Sequence, residues 1–321
     1  MRIGVLNNLR AGRSQAQVHR LLRLLKDYPD VLHVETDQAG AVPDALADLA
    51  RQEVNLLVVN GGDGTLQHAL TEILEHNAFD GRVPQIAVLP GGRTNMTAKD
   101  IGTRGTPVTQ LRHILEGAKA GTLGERVERR HVLRVEYGHQ REVRCGMFFG
   151  AGVIHRAIDY LHANFPQGGG AQGALGSTLI TATLVARLMM GKRDGLLTPD
   201  KAHILVDGEL HEHGEFRLLM ASTVHRLFAG MRPFWGSGHA GVRLTTMTPD
   251  ARQLRRALPG ILSGEPNAYM TTENGYSSCN AKRVDMRLNA GFTIDGEQFP
   301  GEEARAVSLT ADHVVRFISG R

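Results

Sequence analysis

One run of residues combines three glycines with a single acid: Asn60-Gly61-Gly62-Asp63-Gly64-Thr65. It follows a short apolar stretch, Asn55 to Val59, and precedes residues with helical periodicity. Glycines lack a Cβ atom, so the backbone can turn tightly and its N–H groups can approach an anion closely. The start of a helix adds unpaired N–H donors and the positive end of the helix dipole, both of which favour phosphate oxygens. We therefore predict a phosphate site built by Gly61, Gly62, Gly64 and Thr65.

Asp63 is the unexpected member of this run, because a carboxylate beside a phosphate is repelled unless a cation lies between them. Mg²⁺ resolves the conflict, since it bridges carboxylates and phosphates and accompanies nucleotides in phosphoryl transfer. The sequence thus predicts ATP and Mg²⁺ as ligands, with Asp63 as a metal ligand and catalytic residue. A tight turn in which Asp63 only caps the following helix is the structural alternative.

A second glycine turn, Pro90-Gly91-Gly92-Arg93-Thr94-Asn95, follows another apolar stretch, Gln85 to Leu89. Neighbouring strands of a parallel sheet would place both turns at the same edge. Gly92, Arg93, Thr94 and Asn95 are then expected to contact the nucleotide. The alternative here is an ordinary loop with a helix cap at Thr94.

The elements that would position these turns alternate between strands and helices over the first 120 or so residues. This order predicts a doubly wound parallel sheet, whose ligands bind at the carboxyl ends of the strands. The predicted strands are Arg2–Leu6, Val31–Glu35, Asn55–Val59 and Gln85–Leu89, and the predicted helices are Ser14–Lys26, Val42–Arg51 and Thr65–His76.

After residue 126 the pattern changes to strands separated by turns, with Asp207-Gly208 as a hairpin signal. We predict a mostly antiparallel β domain over 127–305, and a nucleotide-binding domain over 1–126 that is completed by 306–321. The strands expected in the second domain are Arg129–Tyr137, Arg141–Phe149, His203–Val206, Glu215–Ala221, Gly241–Thr246 and Val284–Leu288, and its helices are Gly173–Met190 and Pro249–Leu262.

The motifs resemble those of the diacylglycerol kinase catalytic-domain family, which includes bacterial lipid kinases and sphingosine kinases. The family's Gly-Gly-Asp-Gly-Thr is matched in full by Gly61–Thr65. In its second loop, Pro-x-Gly-Thr-x-Asn-Asp, the matching residues are Pro90, Gly92 and Asn95, whereas Arg93 and Met96 depart from it. The opening run from Asn7 to Gly12 resembles the family's Asn-Pro-x-x-Gly, and Asp295-Gly296-Glu297 matches its late Asp-Gly-Glu.

The resemblance implies a nucleotide-binding first domain that includes Asn7, a β-sandwich second domain, and catalysis in the cleft between them. It also implies that Asp295 and Glu297 lie near the acceptor hydroxyl. A carboxylate can orient a hydroxyl and take its proton, so we expect Glu297 to be the base, supported by Asp295. A hairpin turn is the alternative, because Asp207-Gly208-Glu209 repeats the same three residue types elsewhere.

Composition limits the partners. The 321 residues contain 37 Lys plus Arg against 33 Asp plus Glu, and only 5% aromatics with a single tryptophan, Trp235. Base-stacking platforms are therefore scarce, and we expect no nucleic-acid partner. Two cysteines exclude a disulfide framework. No signal-peptide pattern or apolar run of about 18 residues is visible, so we expect a cytoplasmic protein that touches the inner face of the membrane only peripherally.

Together these features predict a lipid kinase that transfers the γ-phosphoryl of ATP to the hydroxyl of a diacylglycerol-like or sphingoid-like membrane lipid. One departure weakens the match: relatives commonly carry an acid that helps to hold a metal where this chain has Gly238-His239-Ala240-Gly241. Two alternatives therefore stay open. One is NAD kinase, whose usual Asn-Glu pair appears here only in reversed order as Glu273-Asn274. The other is a catalytically weak relative that binds nucleotide or lipid as a regulatory module. The sequence favours no oligomeric state.

Overall fold

The computed structural model describes residues 1–9, 15–92, 94–164, 195–227, 230–301 and 305–320. Arg93 and the predicted helix Gly173–Met190 lie outside these ranges. The chain divides into two compact units, one formed by residues 1–132 and 313–321 and the other by residues 133–312. Among the described helices, none is both long and apolar enough to cross a membrane.

The first unit contains a six-stranded sheet, sheet 1, in the order β2-β1-β3-β4-β18-β5. All its strand pairs are parallel except the pair formed by β18 and β5. The strands are β1 (Ile3–Asn8), β2 (Leu32–Thr36), β3 (Leu56–Gly61), β4 (Gln85–Pro90), β5 (Val127–His131) and β18 (Val314–Ile318), and the helices are α1 (Gln15–Lys26), α2 (Val42–Arg51), α3 (Asp63–Leu74), α4 (Met96–Asp100) and α5 (Pro107–Ala120).

Helices cover both faces of sheet 1, which is why its central strands are apolar over most of their length. Every residue of β3 is buried, as expected for a parallel strand packed on both sides. α1 contacts α5, and α2 contacts α3. Local signals set the helix ends: the Thr106 side chain accepts the Thr109 N–H at the start of α5, and Gly121 ends α5 in the left-handed conformation with φ 71°.

The second unit consists of two six-stranded antiparallel sheets with the orders β10-β9-β14-β17-β6-β7 (sheet 2) and β13-β12-β11-β8-β15-β16 (sheet 3). Sheet 2 contains β6 (Leu133–Tyr137), β7 (Glu142–Gly146), β9 (Asp200–Val206), β10 (Glu209–Phe216), β14 (Arg283–Leu288) and β17 (Arg305–Thr310). Sheet 3 contains β8 (Phe148–Gly152), β11 (Leu218–Ser222), β12 (Val242–Met247), β13 (Tyr276–Ala281), β15 (Phe292–Ile294) and β16 (Glu297–Phe299). In the described ranges, the second unit also contains the α-helices α6 (Val153–Asn164) and α7 (Leu254–Ser263).

Apolar side chains from sheets 2 and 3 form one shared core. Phe292 lies at its centre, stacked on Phe149 at 5.2 Å and on Phe299 at 5.0 Å, with Tyr137 edge-on at 5.4 Å between ring centroids. A parallel α/β unit and an antiparallel β sandwich therefore confirm the fold class predicted from the sequence.

Three predicted strands were wrong in extent. Arg129–Tyr137, Arg141–Phe149 and Glu215–Ala221 each contain two strands, interrupted at Val132, Met147 and Arg217, and in each case the chain moves to another sheet there. None of the three break residues is glycine or proline, although Gly146 precedes Met147, so each strand-like run looks continuous in the sequence. The predicted helix Pro249–Leu262 begins only at Leu254. The Asp207-Gly208 hairpin is present, with φ values of 52° and 87°.

The segment that completes the first unit begins at His313, later than the predicted residue 306, because β17 pairs with β14 and β6 in sheet 2. Likewise β5, beyond the predicted boundary at residue 126, belongs to sheet 1. β18 is thus the strand that returns, and it lies between β4 and β5.

We expect Phe317→Ala to lower the free energy of unfolding by about 3–5 kcal/mol, since the Phe317 ring is fully buried in β18. Val314→Ala on the same strand is the control; Val314 is 47% exposed, and its loss should cost less than about 0.5 kcal/mol. Urea unfolding followed by far-UV circular dichroism measures both. Equal stability of the two variants would contradict the placement of β18 in the core of the first unit.

Candidate functional site

Three parallel strands bring polar residues to one edge of sheet 1. Asn7 of β1 lies opposite Asn60 of β3, and Gly61 lies opposite Pro90 of β4. The two glycine turns therefore leave the sheet side by side, at the carboxyl ends of neighbouring strands. This is the arrangement that the sequence predicted for them.

The two glycine turns pack backbone against backbone. A Cβ atom on Gly91 would lie 2.6 Å from the Gly61 nitrogen, and one on Gly92 would overlap the Cα of Gly62. A Cβ on Gly61 would lie 2.5 Å from the Cβ of Thr65. Close approach of the chain to itself therefore accounts for these three glycines.

Gly64 has a different environment. No atom lies within 4 Å of the position that its Cβ would occupy. Gly64 lies in the first turn of α3, where backbone N–H groups have no acceptor within the helix. The first N–H group that has such an acceptor is that of Leu66, which donates to the Gly62 carbonyl at 3.2 Å. Open space beside orphan donors at a helix start fits an anion such as a phosphate group.

Asp63 joins the two loops. Its carboxylate accepts the backbone N–H groups of Met96 and Thr97, each at 3.1 Å, at the start of α4. Asp63 therefore caps α4 and not its own helix α3, whose N-cap is Gly62. Burial raises the pKa of Asp63, and the two N–H bonds oppose that rise because they favour the ionised form.

Asp63 is also the residue that could hold Mg²⁺. The described residues contain no cluster of three acidic, histidine or cysteine side chains. Mg²⁺ bound to a nucleotide needs only one or two carboxylates, because phosphate and water oxygens supply the other ligands. Each Asp63 oxygen retains lone-pair capacity beyond its single N–H bond. The donor set therefore fits a metal held together with phosphates.

Asn95 closes its own loop. Its Oδ1 accepts the Gly92 N–H at 2.6 Å, and its Nδ2 donates to the Gly92 carbonyl at 2.8 Å. The residue adopts a left-handed conformation with φ 50°, a region that asparagine tolerates better than most residues. Asn95 thus shapes the second loop, in which Thr94 is partly buried. The alternative considered for Thr94, a helix cap, is not what the structure shows, because Asp63 accepts the N–H groups at the start of α4.

Amide side chains at this edge were only partly anticipated. Asn7 is fully buried, and its Oδ1 accepts Asn60 Nδ2 at 2.6 Å. Asn8 Nδ2 donates to Thr65 Oγ1 at 2.8 Å and so ties β1 to the start of α3. Sequence reasoning gave Asn7 a role and included Asn60 in the glycine run, but it assigned no contact to Asn60 or Asn8, although both adjoin motif residues at strand ends.

Gln67 was missed as well. It is fully buried one turn after Asp63, and neither of its amide atoms has a hydrogen-bond partner among the described residues. A polar residue on the buried side of α3 is the signal that could have drawn attention to it.

The predicted acceptor residues lie in the second unit. Asp295 and Gly296 form the turn between β15 and β16, with φ values of 49° and 92°, so the hairpin alternative describes their local structure. The Asp295 carboxylate accepts the N–H groups of Met147 and Phe148 at 2.9 and 3.0 Å. Glu297 follows as the first residue of β16, partly buried and paired with Ile294. In the loop at Gly238–Gly241, Asn280 Nδ2 donates to the Gly238 carbonyl at 2.9 Å.

Comparison with known proteins agrees with the first-unit motifs. Residues 2–123 match the family described as the diacylglycerol kinase catalytic domain. This confirms the resemblance over that segment and supports a kinase. The chain matches no curated protein sequence significantly.

Solved structures show the same fold along the whole chain. A diacylglycerol kinase from Bacillus anthracis str. Sterne has a TM-score of 0.65 and 17% identity, with 99% of this chain and 96% of that chain covered. A candidate diacylglycerol kinase from the same organism has a TM-score of 0.65 and 18% identity over the same shares. At this identity the likeness shows the two-domain fold alone.

The loop contact makes a prediction for the protein without ligand. Gly92→Ala should lower the free energy of unfolding by about 1–3 kcal/mol, because its methyl group would overlap the backbone at Gly62. Gly64→Ala is the matched control: its methyl group meets open space in a helix and should change the free energy by less than about 1 kcal/mol, in the stabilising direction. Chemical denaturation of the two variants checks this, and a larger loss from Gly64→Ala would contradict the loop contact.

Proposed function

We propose that this protein is an ATP-dependent lipid kinase, which transfers the γ-phosphoryl group of ATP to the hydroxyl of a diacylglycerol-like or sphingoid-like lipid. The observation that carries the proposal is the open start of α3 at Gly64, beside a second glycine loop at the same sheet edge. This arrangement lies within the segment that matches the diacylglycerol kinase catalytic domain. The lipid would be reached by peripheral contact with the inner face of the membrane.

Phosphate binding falls to the backbone of the first glycine loop. The N–H groups at Gly64 and Thr65 have no acceptor within α3 and point out of the helix start. Gly61 and Gly62 give the loop its shape, and Arg93 and Thr94 of the second loop are the remaining nucleotide contacts that we assign. Bound ATP would supply the phosphoryl group, and Mg²⁺ would neutralise negative charge on the phosphates.

Asp63 has two tasks in this proposal. It holds the start of α4 against the first loop through two N–H bonds, and its remaining lone pairs bind Mg²⁺, directly or through water. Asn95 and the buried Asn7 position the loop backbone and the strand end. The nucleotide site is thus built mainly from main-chain groups whose positions are fixed by side chains.

Deprotonation of the acceptor hydroxyl falls to Glu297. The turn at Asp295 fixes the position of Glu297, because the Asp295 carboxylate binds two consecutive backbone N–H groups at the start of β8. A carboxylate in hydrogen-bond reach of a hydroxyl can orient it and accept its proton as the new phosphorus–oxygen bond forms. Asp295 is therefore a positioning residue, and Glu297 is the proposed base.

One observation favours a second candidate, a regulatory protein that binds nucleotide or lipid without turnover. The side chains of Asp63, Asn95 and Asp295 all bond to backbone groups. Side chains engaged in this way suit a binding scaffold as well as a catalytic site. Turnover separates the two candidates.

The central prediction concerns activity. The full-length protein with Mg²⁺ and ATP should release ADP and form phosphorylated lipid in equal amounts when diacylglycerol, monoacylglycerol, phosphatidylglycerol or sphingosine is supplied in mixed micelles. Glu297→Gln should lower kcat by about 10²–10⁴-fold, the usual contribution of a general base, with unchanged affinity for ATP. Glu209→Gln, in the other Asp-Gly-Glu at Asp207–Glu209, is the control and should keep the full rate.

Two outcomes would contradict the assignment as a lipid kinase, and a third would contradict only the role of Glu297. Magnesium-dependent ATP binding without ADP release on every lipid would favour the regulatory candidate. Formation of NADP from NAD and ATP, with no lipid turnover, would favour NAD kinase. A fully active Glu297→Gln variant would leave the kinase intact but remove Glu297 as its base.

Nucleotide affinity tests the phosphate loop separately. Gly64→Ala places a methyl group in the open space at the start of α3 and should weaken binding of magnesium ATP by about tenfold or more, the effect of losing one hydrogen bond to a charged group. Gly124→Ala, whose methyl group also meets open space in the same unit, is the control and should bind normally. Isothermal titration calorimetry measures both, and equal affinities would rule out the proposed position of the phosphates.

A further inference from the structure

A cavity of about 330 Å³ lies on the face of sheet 2 that points away from the shared core of the second unit. Alternation along the strands defines this face. On β14, Val284, Met286 and Leu288 join the core, and the alternate residues Arg283, Asp285 and Arg287 line the cavity, with Met286 also contributing to its lining. His203 of β9 and Ser308 of β17 line it as well. No step of the proposed kinase reaction uses these residues.

Arginines dominate this face. Arg141, Arg283 and Arg287 line the cavity together with Glu136 and Asp285, and Arg134 joins the group through its ion pair with Glu136 at 3.1 Å. Three guanidinium groups and two carboxylates in the lining leave a net charge of +1; beyond the lining, the positive charge of Arg134 is balanced by Asp312, which interacts electrostatically with Arg283. The cavity therefore carries a net positive charge.

The two acids hold the arginines in place. Glu136 pairs with the Arg141 Nε, and Asp285 Oδ2 accepts the Arg283 Nε at 2.7 Å. The arginine bonds lower the pKa values of both Glu136 and Asp285, so the carboxylates stay ionised at neutral pH. In both pairs the Nε atom donates, which leaves the two terminal nitrogens of each guanidinium as a planar fork. Forks of this kind bind phosphate oxygens in a bidentate manner.

Arg287 supplies the charge that the acids do not balance. It is exposed, and its side chain forms no ion pair or hydrogen bond with any residue in the described ranges. It stands two residues after Asp285 on the same strand, so Arg283, Asp285 and Arg287 point to the same face. A phosphate group would match the sign of this net charge, and its several oxygens would match the available donors.

From this arrangement we propose a second ligand site on sheet 2, which binds a phosphate monoester dianion between Arg283, Arg287 and Arg141. The volume lies in the range of small-molecule sites, roughly 300–1,000 Å³. The monoester can belong to a soluble metabolite or to a lipid headgroup, since the chemistry recognised is the same. The site is separate in sequence and in unit from the glycine loops, and it stands whether or not the chain phosphorylates lipid.

Calorimetry on the full chain tests the site with glycerol 3-phosphate as the soluble probe. We expect saturable binding that weakens about tenfold in Arg287→Gln, as for the loss of one charge-assisted hydrogen bond. Lys282→Gln is the matched control: Lys282 is the exposed neighbour of β14, lies outside the cavity lining and should have little effect. Gly64→Ala should bind the probe normally, because that variant changes only the glycine loops.

Vesicle binding distinguishes the source of the phosphate. Sedimentation with vesicles of phosphatidylcholine containing phosphatidic acid, which carries a monoester, is compared with vesicles containing equal phosphatidylglycerol, which carries a diester. Preference for phosphatidic acid that is lost in Arg287→Gln supports the site with a lipid as its ligand, even without glycerol 3-phosphate binding. Equal binding to both lipids, equal losses in Lys282→Gln and Arg287→Gln, loss of the probe in Gly64→Ala, or no binding to either probe would overturn the proposal.

Discussion

Contact between the two glycine loops is the constraint on which the candidate site depends. The second loop meets the first so closely that a Cβ on Gly91 would lie 2.6 Å from the Gly61 nitrogen and a Cβ on Gly92 would overlap the Cα of Gly62. That contact requires β3 and β4 to be adjacent and parallel, with Gly61 opposite Pro90. Because the two loops pack against each other, the start of α3 stays accessible. The backbone N–H donors at Gly64 therefore keep their positions without a ligand. When an anion binds to a site whose donors are already fixed, the free-energy cost of reorganising the site is small.

The sequence predicted this part of the molecule well, because the responsible signals are local. Apolar runs of five or six residues, each followed by glycines, identified β3 and β4, and the glycines located the edge where ligands bind. In the second unit the same reasoning failed at Val132, Met147 and Arg217. There the chain passes from one sheet to another within an extended run, so the ends of the strands depend on pairing partners distant in sequence. The hairpin at Asp207-Gly208 was predicted correctly because these two residue types favour the positive φ angles that the turn requires.

Partners distant in sequence also explain what was missed within the site. Asp63 is bonded to residues 33 and 34 positions later, and Asn60 to a residue 53 positions earlier. No pattern around Asp63 states that its carboxylate caps α4. The identity of these residues could be predicted from the motif, whereas their hydrogen-bond partners needed the three-dimensional structure. The cavity on sheet 2 is a similar case, because its arginines come from β14 and from the turn after β6, two parts of the chain that are brought together through β17.

Asp63 and Asp295 form the same pattern of hydrogen bonds in the two units of the chain. Each carboxylate accepts two consecutive backbone N–H groups, one per oxygen, at the start of another element: α4 for Asp63 and β8 for Asp295. Both acids precede a glycine, and Gly146 leaves room for the Asp295 carboxylate, which would lie 2.5 Å from a Cβ there. Two N–H bonds fix the plane of a carboxylate and favour its ionised form. A carboxylate fixed in this way presents its remaining lone pairs in one direction, which is the property that a cation site or a neighbouring base requires. Structural and chemical roles of the motif acids are therefore two consequences of the same pair of hydrogen bonds, and conservative replacement of either acid changes both together.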